Sequence, residues 1–188
     1  MINKFKCLGR DDIVSLFFPN SKSPISNCNA VLRRLRDRGH IKQSKKHFPS
    51  LYLSKENPIK ETSQKIPHFL ALFNVFRTLK NYLSAFDVEP KIGTKGTVEP
   101  DVFMIFNNTP FFVEVQLTQY SNSVMNEKIK RYESYFYSNE WTALPWQPEQ
   151  PFFPYIVIFS ETPYEIDSFL QVIQFKSAND LLLQSAIN

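Results

Sequence analysis

Between Glu99 and Leu117 the chain sets two apolar runs, Val102-Phe-Met-Ile-Phe106 and Phe111-Phe-Val-Glu-Val-Gln-Leu117, on either side of Asn107-Asn-Thr-Pro110. Two such runs around a polar, Pro-containing turn predict an antiparallel hairpin. The uncharged stretch Val102–Val113 is 12 residues long, well short of the ~20 that a membrane-spanning helix needs. No membrane span is therefore expected. With a four-residue loop, Phe106 pairs with Phe111, and counting back sets Asp101 opposite Gln116 and near Glu114. Opposite residues, and residues two apart, share a face of a sheet. Asp101, Glu114 and Gln116 are thus expected to converge at one end of an apolar hairpin, a placement that a one-residue change of register would undo. Burying an unpaired carboxylate costs roughly several kcal/mol, so Glu114 needs compensation. Two acids at one sheet end suit Mg²⁺, which takes carboxylate oxygens and keeps waters for phosphate chemistry. The other reading leaves the carboxylate exposed at the sheet end or paired with Lys91, Lys95 or Lys128.

The charge is divided along the chain. Residues 1–60 hold 13 Lys/Arg against 4 Asp/Glu, a net of +9, and residues 61–188 hold 9 against 14, a net of −5. Two units are expected, the first a binder of polyanions. Disorder is excluded as the dominant state, because the chain is 43% hydrophobic with 18 Phe, 8 Tyr and 2 Trp, enough to drive collapse. The segment Met1–Arg10 has no apolar h-region, so a cytoplasmic location is expected. Cys7 and Cys28 lack the four-ligand spacing of a zinc site and are assigned to the core.

In the basic half, Asp11–Phe18 predicts a short helix with acids in its first turn. Ile25–Arg38 predicts a second, closed by Gly39, with Cys28, Val31, Leu32 and Leu35 forming one apolar stripe. Opposite the stripe lie Ser26, Ala30, Arg33 and Asp37, flanked by Asn29 and Arg34. His40–His47 and Ser50–Ser54 read as two strands with Lys42, Lys45 and Lys46 at or near their tip. Helix, helix and basic hairpin make the order of a winged helix-turn-helix. Its second helix would enter the major groove of double-stranded DNA, with Ser26, Asn29, Arg33 and Arg34 at the interface and the three lysines on phosphate. About five such cationic contacts imply a slope of log K on log salt near −4.5.

Lys55–Lys65 reads as a linker, giving domains at 1–56 and 66–188. Beyond it, Pro67–Ser84 predicts a helix, Ala85–Ile92 an edge strand, Ser123–Tyr137 a helix, Pro154–Ser160 a strand and Tyr164–Phe175 a helix. The fold class is α/β (α+β). Trp141-Thr-Ala-Leu-Pro-Trp146 is a rigid aromatic loop that either stacks bases or packs over the sheet.

Pro100-Asp101, twelve intervening residues and Glu114-Val115-Gln116 resemble the PD-(D/E)xK motif of restriction-endonuclease-like folds. More narrowly, residues 10–175 resemble the replication-relaxation family of plasmids and integrative elements, in which a winged helix precedes a degenerate nuclease-like domain. The resemblance implies a restriction-endonuclease-like mixed sheet flanked by helices, with Asp101 and Glu114 as ligands of Mg²⁺. Gln116 stands where the family usually has Lys, and being neutral it cannot do the same electrostatic work. The helix carrying Lys128-Ile-Lys-Arg-Tyr132 is similar to a downstream Lys/Gln-x-x-x-Tyr helix of relatives and turns Lys128 and Tyr132 toward the acids. Glu89 is the candidate replacement for a carboxylate that some members carry on their first long helix. The function implied is DNA binding in replication, relaxation or mobilisation, with a relaxase or replication protein, or a second copy of the chain, as partner. The alternatives are an active Mg²⁺-dependent endonuclease using Asp101, Glu114 and Lys128, and a transcriptional regulator whose C-terminal domain mediates protein contacts.

Overall fold

The computed structural model describes residues 1–56, 58–94 and 96–185. It has a mixed α+β architecture in two compact units, Met1–Arg77 and Thr78–Asn188.

The first unit runs α1 (Ile2–Phe5), β1 (Cys7–Gly9), α2 (Arg10–Phe17), α3 (Pro24–Asp37), β2 (Ile41–Gln43), β3 (Leu51–Ser54) and most of α4 (Ile66–Leu79). Pro24 occupies the first turn of α3, where its missing N–H costs nothing. Cys28 and Leu32 are buried beneath the helix. Gly39, at φ 75°, ends it: the Gly39 N–H donates to Arg36 O and the His40 N–H to Leu35 O, each at 2.9 Å. This is the paired bonding of a Schellman cap, which favours glycine in the left-handed region. Helix, helix and hairpin follow one another as expected, but the strands are shorter than His40–His47 and Ser50–Ser54. A third strand, β1, pairs antiparallel with β3 to give the order β1-β3-β2. Cys7 lies in β1 and Cys28 in α3, both as buried free thiols, and burial pushes the Cys7 thiol up to about 11.

Helix α4 departs from the expected domain boundary. Instead of opening the second domain, it sets Phe73 and Phe76 against Phe5, with ring centroids 5.2 and 5.6 Å away. Arg77 on the same helix approaches Asp12 of α2 at 3.7 Å. The partner of its aromatic face is thus α1, an element too short to leave a periodic signal.

In the second unit a 3₁₀ turn (Lys80–Tyr82) leads into β4 (Leu83–Val88), then β5 (Val102–Phe106), β6 (Thr109–Val115), α5 (Asn122–Ser138), β7 (Tyr155–Phe159), β8 (Val172–Phe175) and α6 (Ala178–Ser185). The sheet order is β4-β5-β6-β7-β8. Its first three strands are antiparallel, and β7 and β8 run parallel to β6. α5 makes the crossover that a parallel β6–β7 pair requires. Phe112, Ile156 and Ile158 pack with Met125, Ile129, Tyr132 and Tyr135 of α5 in one core. The aromatic loop joins that core: Trp141 stacks on Phe136 at 5.8 Å and Trp146 on Phe103 at 4.9 Å. It packs over the sheet.

Two expectations fail here. The Tyr164–Phe175 segment is not a helix; its last four residues form β8. The Gln174 amide accepts from Tyr164 N–H at 2.7 Å and donates to Tyr164 O at 2.8 Å, closing residues 164–174 into a loop that a helix of that length could not make, and Val172-Ile173 is a β-branched pair suited to a strand. The hairpin loop has two residues, not four. Asn107 and Asn108 lie at φ 47° and 63°, the positive values a type I′ turn demands and asparagine tolerates. Phe106 therefore pairs with Thr109. Among the described residues no helix is long and apolar enough to cross a membrane.

Candidate functional site

On α3 the residues expected to meet DNA share one exposed side. Ser26, Asn29, Arg33 and Arg34 are all exposed, opposite buried Cys28 and Leu32. The helix is tied to the hairpin by Arg36, whose guanidinium donates to Gln43 Oε1 at 3.0 Å and to Asp37. Gln43 donates in turn to Ser50 Oγ at 3.3 Å. Lys45 and Lys46 lie in the β2–β3 connection, exposed and without an ion pair among the described residues. Lys42 corrects the expectation. Its ammonium pairs with Glu61 Oε1 at 2.7 Å, and Glu61 also accepts from Ser44 Oγ and the Lys45 N–H. The Lys42 bond, above the other contacts, holds the Glu61 carboxyl down at about 2. A residue of the supposed linker thus neutralises one of the three wing lysines.

In the second unit the two-residue turn moves the register by two, so its continuation past Val102↔Val113 sets Asp101 opposite Glu114, not Gln116. Because the error is an even number, the two acids still share a face. Asp101 Oδ2 accepts the Val115 N–H at 2.7 Å, capping a ladder donor just beyond the end of β5. Its own carbonyl accepts the Glu89 N–H at 2.9 Å. Gln116 turns its N–H to Phe159 O at 2.8 Å, continuing the pairing with β7.

Glu114 is fully buried in the central strand. Its Oε2 accepts from the Lys128 ammonium, and its Oε1 accepts from the Tyr132 hydroxyl at 2.6 Å. One turn apart on α5, Lys128 and Tyr132 meet the same carboxylate, as their i, i+4 spacing permits. Of the two described lysines considered as partners, Lys91 and Lys128, the one in contact is Lys128. Lys91 is exposed, and Lys95 lies outside the described residues. Burial pushes the Glu114 carboxyl up to about 8, with Asp101 adding to the rise and Lys128 and Tyr132 opposing it. The Tyr132 hydroxyl is raised well above its ordinary value, by burial and by Glu114.

The donor set does not fit a divalent cation. Both Glu114 oxygens hold protein donors, one Asp101 oxygen holds a backbone N–H, and no cluster of three His, Cys, Asp or Glu side chains occurs among the described residues. Mg²⁺ prefers one or two carboxylates with several retained waters. To reach Glu114 it would have to displace the Lys128 ammonium, which already supplies the positive charge at that oxygen.

The charged groups that sequence reasoning missed are Glu61 and Arg36. Nothing in the local pattern marks either one, since each acts through a contact with another element.

No family model and no curated protein matches this chain. Among solved structures, protein VC1899 from Vibrio cholerae is similar at 13% sequence identity and a TM-score of 0.40, over 85% of this chain and 42% of its own. The chain thus spans less than half the length of that protein.

Proposed function

We propose that this chain binds double-stranded DNA through α3 and the β2–β3 connection, and that its second unit is a nuclease-like body without a working metal centre. The observation that carries the reading is the exposed face of α3, where Arg33 and Arg34 stand beside Ser26 and Asn29, opposite the buried stripe. Arginines on such a face suit base edges and phosphate alike. Lys45 and Lys46 add charge at the adjacent connection, where phosphate contacts set register rather than sequence. The setting, a plasmid or other mobile element in which the protein assists replication, relaxation or mobilisation beside a relaxase or replication protein, comes from the family resemblance.

The test is fluorescence anisotropy of a labelled duplex with the full chain. Arg33→Ala with Arg34→Ala should weaken binding by about tenfold or more. Unchanged affinity in that double variant would overturn the proposal.

A second reading, Mg²⁺-dependent cleavage, is favoured by one observation, the two carboxylates opposite each other at the end of the hairpin. It requires nicking of duplex DNA in Mg²⁺ or Mn²⁺ that Asp101→Ala and Glu114→Ala abolish while DNA affinity stays. No metal-dependent nicking in the wild-type chain favours the first reading.

A further inference from the structure

Phe48 is the most exposed large apolar side chain among the described residues, at 101% against 69% for Tyr137, the next. It stands in the β2–β3 connection, in the run Ser44-Lys-Lys-His-Phe-Pro-Ser50, which carries two lysines and no acid. Single apolar residues are common on protein surfaces, so exposure alone says little. How the ring is held says more.

Ser44 anchors the connection. It is buried, and its Oγ lies 2.8 Å from His47 Nδ1, accepts the Lys46 N–H at 3.2 Å and donates to Glu61 Oε2 at 3.1 Å. Glu61 also takes the Lys45 N–H at 3.2 Å. One buried hydroxyl and one carboxylate thus brace the three residues before Phe48, and Pro49 limits the Phe48 backbone to extended conformations. The ring is held outside the core, where its apolar surface gains nothing until a partner covers it.

Lys45 and Lys46, just before the ring, are exposed and make no ion pair among the described residues. A flat apolar ring beside two ammonium groups suits a partner with negative charge outside and stacked apolar faces within. Duplex DNA has this character, with phosphates around stacked base pairs. The hydrogen bonds from Arg36 to Gln43 and from Gln43 to Ser50 join the connection to α3, so the ring belongs to the same body as Arg33 and Arg34. An anionic membrane shares the outer charge, but one ring offers little of the apolar area that anchoring requires.

We propose that Phe48 is a wedge that enters the groove facing the β2–β3 connection and opens a base-pair step, so that the first unit selects duplexes with a weakly stacked step. The proposal rests on duplex binding by that unit and adds a substrate preference to it. Apolar wedges unstack a step and kink the duplex, and the cost depends on how readily that step opens. Pyrimidine–purine steps and mismatches open most readily.

The probes are two short fluorescein-labelled duplexes, identical except for one central A·A mismatch, titrated with the full chain and followed by anisotropy. Wild type should bind the mismatched duplex about tenfold more tightly than the matched one. Phe48→Ala should bind both alike, with the melting temperature of the free chain and the salt slope unchanged, because the ring packs on nothing and carries no charge. Phe48→Trp should restore the preference. Arg33→Ala with Arg34→Ala should weaken both duplexes together and leave their ratio intact. Equal binding of the two duplexes by wild type, or the same preference in Phe48→Ala, would overturn the wedge while duplex recognition stands. A wild-type chain that binds neither duplex would overturn both. Loss in Phe48→Ala of self-association or of binding to phosphatidylserine vesicles, with DNA affinities as in wild type, would assign the ring to a protein or a membrane and likewise overturn the proposal.

Discussion

Glu114 makes the stability of the second unit depend on pH in a direction opposite to that of an ordinary surface carboxylate. Its folded value lies near 8 against an ordinary 4.5, chiefly because burial disfavours the charged form. The folded chain therefore binds more protons than the unfolded chain between those limits. The contribution is fully present below about pH 4.5 and is lost as pH rises through about 8. A span of about 3.5 in pH, at about 1.4 kcal/mol for each unit, sets the loss on the order of 5 kcal/mol between pH 4 and 9. That is a large share of the roughly 5–15 kcal/mol typical of a domain. Both tryptophans, Trp141 and Trp146, lie in the second unit, so their fluorescence in urea reports its unfolding. Glu114→Gln mimics the protonated carboxyl and can still meet Lys128 and Tyr132, so its urea midpoint should stay nearly constant where the wild type declines. A wild-type midpoint independent of pH from 5 to 9, or a parallel decline in Glu114→Gln, would refute the reasoning.

Glu61→Gln should release Lys42 and strengthen duplex binding, steepening the salt dependence by about 0.9 for one added phosphate contact; anisotropy at several salt concentrations reads this. Gly39→Ala should cost about 1 kcal/mol in a denaturant titration, since its φ of 75° is unfavourable for any Cβ while no atom lies within 4 Å to add a clash. Asn108→Gly should raise stability by about half a kcal/mol, because glycine occupies the positive φ of the second turn position more freely than asparagine.

The legible parts of this chain were those governed by local period. The stripe Cys28, Val31, Leu32 and Leu35 marked the buried side of α3 and hence its exposed side. Alternation along Phe111–Val115 placed Glu114 on the same face as Asp101, and that inference survived a wrong loop length because two residues restore parity. The i, i+4 spacing of Lys128 and Tyr132 turned both toward the carboxylate. What escaped depended on contacts between distant segments. Glu61 sits in a stretch with linker composition, and only the fold brings it to Lys42. Tyr164–Phe175 has helical length, yet the Gln174 amide ties back to the Tyr164 backbone and its last four residues join the sheet. Helix α4 looks like the start of a new domain until Phe5 is found against Phe73.

The account rests most heavily on duplex recognition by the first unit, and the salt dependence of that binding tests it most directly. With Lys42 held by Glu61, four cations remain, namely Arg33, Arg34, Lys45 and Lys46. Four phosphate contacts predict a slope of log K on log salt of about −3.6, falling toward zero when all four are replaced by alanine. A flat response in the wild-type chain, or the same slope after that replacement, would contradict the account.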